Sequence, residues 1–215
     1  MTLFLQLLSG ICWSIVYIEL IRKGIKDRTY GMPVFALGLN FAWETIYAFS
    51  GLTTSITDPQ SWVNLIWALL DVGIIVTFFR YGKRDFPNLF QNYFYLGSIA
   101  IFIVCFIFQF AFLFEFGNHW GSIYSAFAQN AAMSILFVSM LLSRNSSRGQ
   151  SQLMAYSKWI GTLAPSILGG LIEQVNIYVI LTGVICFVFD LVYIILLSKI
   201  DKQGLAINFG QYPKF

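Results

Sequence analysis

The chain is 215 residues long, 58% hydrophobic and 11% charged, with a formal net charge of +3 and a mean hydropathy of +0.72. A soluble domain carries about 25% charged residues, so this composition excludes an ordinary soluble enzyme. No basic cluster is large enough, or interleaved with aromatics enough, to suggest a nucleic-acid binder. At about 20 residues per crossing, the length accommodates roughly six to eight membrane spans and leaves no room for a separate soluble domain.

Seven apolar segments follow in order, at 3–21, 32–50, 61–79, 93–114, 120–142, 153–172 and 176–198, each of a length suited to a spanning helix. The first begins without a basic n-region and is too long for a signal-peptide core, so it is expected to be retained as a span. Near its end Glu19 precedes Arg22 by three residues, the spacing of an interfacial ion pair. The second carries Asn40, Trp43, Glu44 and Tyr47 at i, i+3, i+4 and i+7, one helical face. An acid inside a membrane helix is costly and by default faces a bundle interior or cavity, which makes Glu44 the first candidate for chemistry.

The third segment places Asn64, Trp67 and Asp71 on one face; the fourth offers Gln109, and the fifth Ser122, Ser125 and Gln129. The sixth is interrupted by Lys158, Pro165 and Gly169-Gly170, breaks that membrane helices tolerate where neighbours satisfy the freed backbone groups. The seventh aligns Thr182, Cys186 and Asp190, with Tyr193 a turn further on. Residues 1–199 therefore read as one seven-helix transmembrane domain, and 200–215, with Gly204, Gly210 and Pro213, as a short cytosolic tail. Cys12, Cys105 and Cys186 lie far apart inside apolar runs and His119 is the single histidine, so neither a disulfide framework nor a metal site is expected.

Basic residues set the orientation. Arg22, Lys23, Lys26 and Arg28 follow the first segment; Arg80, Lys83 and Arg84 follow the third; Arg144 and Arg148 follow the fifth; Lys199, Lys202 and Lys214 follow the seventh. The alternate connections 51–60, 115–119 and 173–175 hold no Lys or Arg. By the positive-inside rule this predicts an all-α, polytopic membrane protein of seven helices with its N-terminus outside and its C-terminus cytosolic. The short connections predict that sequential helices pack as antiparallel neighbours. Counting the helical rise from the basic edge puts Asp71 and Asp190 at ~13 Å and Glu44 at ~20 Å. Were the three spans adjoining, these acids would line one cavity, Glu44 about a turn above the others.

For Glu44 and Asp190 a functional role is the better reading, because a buried acid is an expensive way to join helices. Asp71 divides evenly between a role and a structural bond, and Asn64, Gln109 and Gln129 fit a hydrogen-bonded glue as well as a site. A neutral carboxylic acid in an apolar pocket can protonate an alkene or epoxide, and aromatic faces can stabilise the resulting cation. Trp43 and Tyr47 beside Glu44, and Trp67 a turn before Asp71, are the specific candidates for that wall. No phosphate loop, Ser-His-Asp set, HExxH, DDxxD or DxDD run is present. The last span has no central lysine for a retinal Schiff base. A seven-helix transporter of SWEET-like topology using the same acids stays open, although the one Pro-Gln pair, Pro59-Gln60, falls in a connection.

The stretch Thr29-Tyr30-Gly31-Met32 through Asn40-Phe41-Ala42-Trp43-Glu44-Thr45-Ile46-Tyr47 resembles the membrane-bound terpene cyclases of fungal meroterpenoid and indole-diterpene pathways, the paxilline and pyripyropene cyclase-like family. There the segment reads much like TYGM…N-x-AWE-x-x-Y. Gln129, the loop Leu141–Gly149 in the place of an STRG-containing loop, and Asp190 followed by Tyr193 extend the likeness in the same order from about residue 9 to 200. The chain is shorter than typical fungal members, which is compatible with a bacterial relative, and Asp71 has no place in the motif. The resemblance implies metal-independent, proton-initiated cyclisation of a farnesyl-type chain, with or without a terminal epoxide, on a meroterpenoid substrate. It implies Glu44 and Asp190 as the catalytic acids; Asn40, Trp43, Tyr47, Trp67, Asp71, Gln129 and Tyr193 are the expected substrate-binding residues. No cofactor is expected. The expected partners are a prenylated hydrophobic substrate, the lipid bilayer, and a pathway prenyltransferase or epoxidase. The expected location is the cell membrane in a bacterium or the endoplasmic reticulum in a fungus.

Overall fold

The computed structural model describes residues 1–86 and 88–210, which are helical throughout apart from short connections. The main elements are α1 (Thr2–Asp27), α2 (Val34–Thr54), α3 (Pro59–Tyr81), α4 (Phe94–Arg144), α5 (Gln152–Ile167) and α6 (Ile177–Gly210). Two 3₁₀ turns, Gly82–Asp85 and Asn88–Tyr93, link α3 to α4, and a π-turn, Leu168–Ile172, prolongs α5. Helix α6 continues past the expected boundary at residue 199; Pro213 and Lys214 lie outside the described residues.

Local chemistry explains most boundaries. Helix α1 stops where Arg28 turns left-handed (φ 50°) and the Thr29 N–H reaches back to Gly24 O at 3.0 Å, which satisfies an otherwise orphaned carbonyl. Helix α3 starts with Pro59 behind an Asp58 cap that accepts the Ser61 N–H at 3.0 Å. Helix α5 starts with Ser151 accepting the Met154 N–H at 3.3 Å.

The seven expected segments appear as six helices because 93–114 and 120–142 are joined in α4. That helix does not run straight. Gly117 adopts φ 71° and ψ 179°, a backbone conformation open to glycine. Gln109 and Gln129 lie 20 residues apart and would stand ~30 Å apart on a straight helix, yet their side chains are 2.7 Å apart. Helix α4 is therefore a hairpin, with limbs 94–116 and 118–144.

Around the bundle the helices follow the cyclic order α1, α3, α2, α4, α6, α5 and back to α1. The expectation that sequential helices are neighbours holds for α2–α3, α5–α6 and the two limbs of α4, whereas α1–α2, α3–α4 and α4–α5 meet mainly through side chains, as where Phe79 stacks on Tyr95 and Lys158 reaches Ser134. The loops at 28–33, 82–93 and 145–151 are long enough to step across the bundle, so α1 and α2 face each other across its interior. Four stretches are long and apolar enough to cross a membrane: Thr2–Asp27, Pro59–Asp85, Asn88–Arg144 and Ile177–Gln203. The other two helices are the least lipid-like. Helix α2 carries the polar row and packs against α3 and α4, and α5 has only 16 residues, among them Lys158.

Candidate functional site

Helix α2 presents its polar row inward, and neighbouring helices answer it with polar groups. Glu44 is 1% exposed and Asp71, on α3, is fully buried. The Asn40 amide nitrogen bridges them, donating to Glu44 Oε1 and to Asp71 Oδ2 at 2.9 Å each. It also approaches the Tyr17 hydroxyl of α1 at 2.6 Å. Tyr17 in turn donates to Glu44 Oε1.

A chain of amides sets the orientation of Asn40. Gln109 Nε2, on the first limb of α4, donates to Gln129 Oε1 at 2.7 Å and to Leu39 O at 3.3 Å. Gln129 Nε2, on the second limb, donates to Asn40 Oδ1 at 3.3 Å. With its oxygen occupied, Asn40 can present only its N–H groups to the two carboxyls. Glu44 Oε2 and Asp71 Oδ1 keep no protein partner.

Glu44 borders a cavity of about 880 Å³ between α1, α2, α3, the second limb of α4 and the end of α5. That volume lies within the range of about 300–1,000 Å³ usual for small-molecule sites. Its inner end is built from Tyr17, Asn40, Glu44 and Trp67, and its outer end from Leu3, Gln6, Pro59 and Gln60. Trp13, Tyr17, Trp43, Trp67 and Phe127 supply aromatic walls. Tyr17 stacks on Trp67 at 5.9 Å and lies 6.2 Å from Trp13. Two of the indoles are pinned: Trp67 Nε1 donates to Ser14 Oγ at 3.2 Å and Trp43 Nε1 to Ser122 O at 3.0 Å. Trp and Tyr faces around an otherwise apolar space suit a transient carbocation.

The other expected residues lie elsewhere. Asp71 touches the cavity only through Asn40. Tyr47 packs at a tilt against Trp43, ring centroids 5.3 Å apart, but sits behind the wall, its hydroxyl buried and unpartnered. Asp190 and Tyr193 do not border the cavity. The expectation that Asp190 faces Glu44 across one cavity is therefore corrected. Asp190 is drawn to Lys158 of α5, whose ammonium stands 2.6 Å from Asp190 Oδ1. Tyr193 packs on Phe137 at 5.4 Å. The carboxyl that shares Glu44's neighbourhood is Asp71.

Tyr17 and Trp13 are site residues that the sequence reading passed over. A signal was present: Gln6, Gly10, Trp13 and Tyr17 recur at helical spacing along α1, and all border the cavity. Among the described residues, no group of three His, Cys, Asp or Glu side chains converges as a metal site would require.

Comparison with known proteins gives one family. The profile of the Pyr4-like transmembrane terpene cyclases matches residues 1–171, a stretch that holds Tyr17, Asn40, Glu44, Asp71 and Gln129 and ends before Asp190. The Pyr4-family terpene cyclase mfmH of Annulohypoxylon moriforme is 30% identical over 170 residues, 74% of this chain and 66% of that protein. Terpene cyclase dpmpB of Macrophomina phaseolina is 29% identical over 163 residues, 74% of this chain and 65% of that protein. In both, the matched stretch spans just under two thirds of the relative's length. Terpene cyclase pyr4 of Aspergillus fumigatus is 28% identical over 220 residues, 92% of this chain and 86% of that protein. No solved structure matches the chain.

Proposed function

We propose that this chain, which belongs to the Pyr4-like transmembrane terpene cyclases, cyclises a prenyl chain by delivering a proton from Glu44. The observation that carries this reading is the placement of Glu44. It is a buried carboxyl with one oxygen held by Tyr17 and Asn40 and the other free, at the inner end of an aromatic-walled cavity.

The chemistry balances without any further reactant. The O–H bond of Glu44 breaks as a C–H bond forms at the terminal alkene; with an epoxide, the proton goes to oxygen and a C–O bond opens. The tertiary cation accepts the electron pair of the next double bond, and ring C–C bonds form in sequence. The last cation gives up a proton to water and Glu44 regains one from water, so the enzyme is restored and the product of alkene protonation or of epoxide opening keeps the substrate's mass. As Glu44 ionises, the Tyr17 O–H and Asn40 N–H stabilise the carboxylate they already face. Asp71, held by the same amide, completes an acid pair. The reaction starts from the pair with one proton, carried by Glu44. The substrate we propose is a farnesyl-type chain on a meroterpenoid head group, its tip against Glu44 and its polar end toward Gln6 and Gln60.

The exposed apolar exterior and the family make the chain an integral membrane protein. We infer seven crossings, with the α4 hairpin counted as two, and an N-terminus outside. Every basic cluster then lies at one end of the bundle, and the cavity mouth at the other.

The test is Glu44→Gln in membranes supplied with a farnesylated aromatic acceptor, with products resolved by chromatography and NMR. The rate should fall by about a thousandfold, within the range for losing a general acid, while the protein accumulates normally. Wild-type turnover by this variant would falsify the proposal.

A further inference from the structure

Outside the cavity, the strongest polar cluster lies where α4, α5 and α6 meet. Lys158 Nζ stands 2.6 Å from Asp190 Oδ1 and donates to Ser134 Oγ at 2.7 Å, with the Phe137 ring 5.8 Å away. The two charged side chains are 0% and 1% exposed. Asp190 Oδ2 has no partner, so among the described residues Lys158 alone bonds this carboxylate. A buried ion pair returns little net stability for its desolvation, which leaves its position as the feature to explain.

One and two turns beyond Lys158 on the same face of α5 are Gly161 and Pro165, and the next turn brings Leu168, where the π-turn begins. At Gly161 the backbone of α5 presses on α1. Its carbonyl accepts from Ser9 Oγ at 2.8 Å, and a Cβ there would stand 3.1 Å from Trp13 Cδ1. Ser9, Trp13, Pro165 and Leu168 all border the cavity. On α4, Ser134 Oγ donates to the carbonyl of Asn130 at 3.0 Å, and Asn130 borders the cavity too.

We propose that Lys158 and Asp190 form a positioning pair. It pins α5 and the second limb of α4 to α6, so that Trp13, Pro165 and Leu168 make one wall of the cavity. Asp190 acts through Lys158 and touches neither the substrate nor the migrating proton. The proposal rests on the cyclase reading above, because the wall belongs to that cavity.

The pair can be broken and then replaced. A single substitution, Asp190→Asn or Lys158→Met, leaves the other charge or its remnant buried without its partner; the double substitution Asp190→Leu with Lys158→Met removes both charges. Purified protein in detergent gives the thermal midpoint, and the farnesylated acceptor gives kcat and KM. Each single substitution should lower the midpoint by several degrees and the rate by at least about tenfold, and the apolar pair should regain most of both. The reversed pair, Asp190→Lys with Lys158→Asp, serves as a second rescue. An apolar pair that regains the midpoint but stays as slow as Asp190→Asn overturns the proposal, because Asp190 then has chemistry of its own. Single variants with wild-type rates also overturn it, as does failure of both pairs to regain either quantity. Absence of product from the wild type would instead sink the cyclase reading, and recovery of the midpoint would still report on the pin.

Discussion

Tyr17 carries two roles that a sequence cannot separate. Its ring is part of the aromatic wall, stacked on Trp67, and its hydroxyl holds the Glu44 oxygen that Asn40 also holds. Tyr17→Phe keeps the ring and removes the hydrogen bond. A bond to a charged group is worth about 1.5–3 kcal/mol, so kcat should fall by roughly ten- to a hundredfold with KM little changed. The loss belongs to kcat because the carboxylate exists only once the proton has left. Equal kinetics for Tyr17→Phe and wild type would remove the hydroxyl from the mechanism. Glu44 was legible because an acid among apolar residues stands out against its surroundings. That Asp71 rather than Asp190 would be its neighbour was not legible. Axial depth along each helix can be counted from the basic edge, but which helix faces which cannot. That same gap placed Asp190 opposite Glu44, when its nearest charge is Lys158 on a neighbouring helix. Lys158 itself had been read as an interruption of its span.

Among the elements, the α4 hairpin decides whether the amide chain can form. Its limbs meet at Gly121, where an added Cβ would stand 2.7 Å from the Phe112 carbonyl oxygen and 3.0 Å from the Tyr47 hydroxyl. The Phe112 oxygen is backbone and cannot rotate away, so Gly121→Ala must spread the limbs. Overpacking of this kind costs about 1–3 kcal/mol, which should appear as a lower thermal midpoint. Because Gln109 and Gln129 sit on opposite limbs, the rate should fall further than the stability loss alone requires. A variant with unchanged midpoint and rate would show that the limbs are not closely packed there. Helix existence was legible from apolar runs, and the interruptions at Pro165 and Gly169-Gly170 fall where α5 gives way to the π-turn. The cyclic order of helices was not, because a loop of six or more residues permits a neighbour or a step across. Only tertiary contacts such as Gln129 to Asn40 choose between them.

At the scale of the molecule, the charges in the sequence bear on sidedness and the structure shows where the cavity opens. If the basic end is cytosolic, a cysteine placed at His119, at the tip of the α4 hairpin, should react with an impermeant maleimide added outside sealed vesicles. Labelling only after permeabilisation would reverse the topology. The cavity mouth lies at that same end, between the start of α1 and the start of α3. Nearby Leu3, Phe4, Leu7 and Ile11 are exposed, which suits entry of a lipid-soluble chain from the bilayer. Gly10 offers a way to test that the cavity holds the chain. It borders the cavity, and a Cβ built on it meets nothing within 4 Å. A larger side chain at this position would occupy space that is empty, and it would replace a helical glycine, itself worth about 0.5–1 kcal/mol of stability relative to alanine. Gly10→Phe should therefore keep or raise the thermal midpoint while shortening the usable cavity. Because Gly10 lies about two turns outward from Tyr17, the obstruction falls between the mouth and Glu44. Substrates with long prenyl chains should lose kcat/KM before short ones do. A uniform loss for all chain lengths would mean that Gly10 lies on the entry path rather than beside the bound chain, and no loss at all would place the chain elsewhere.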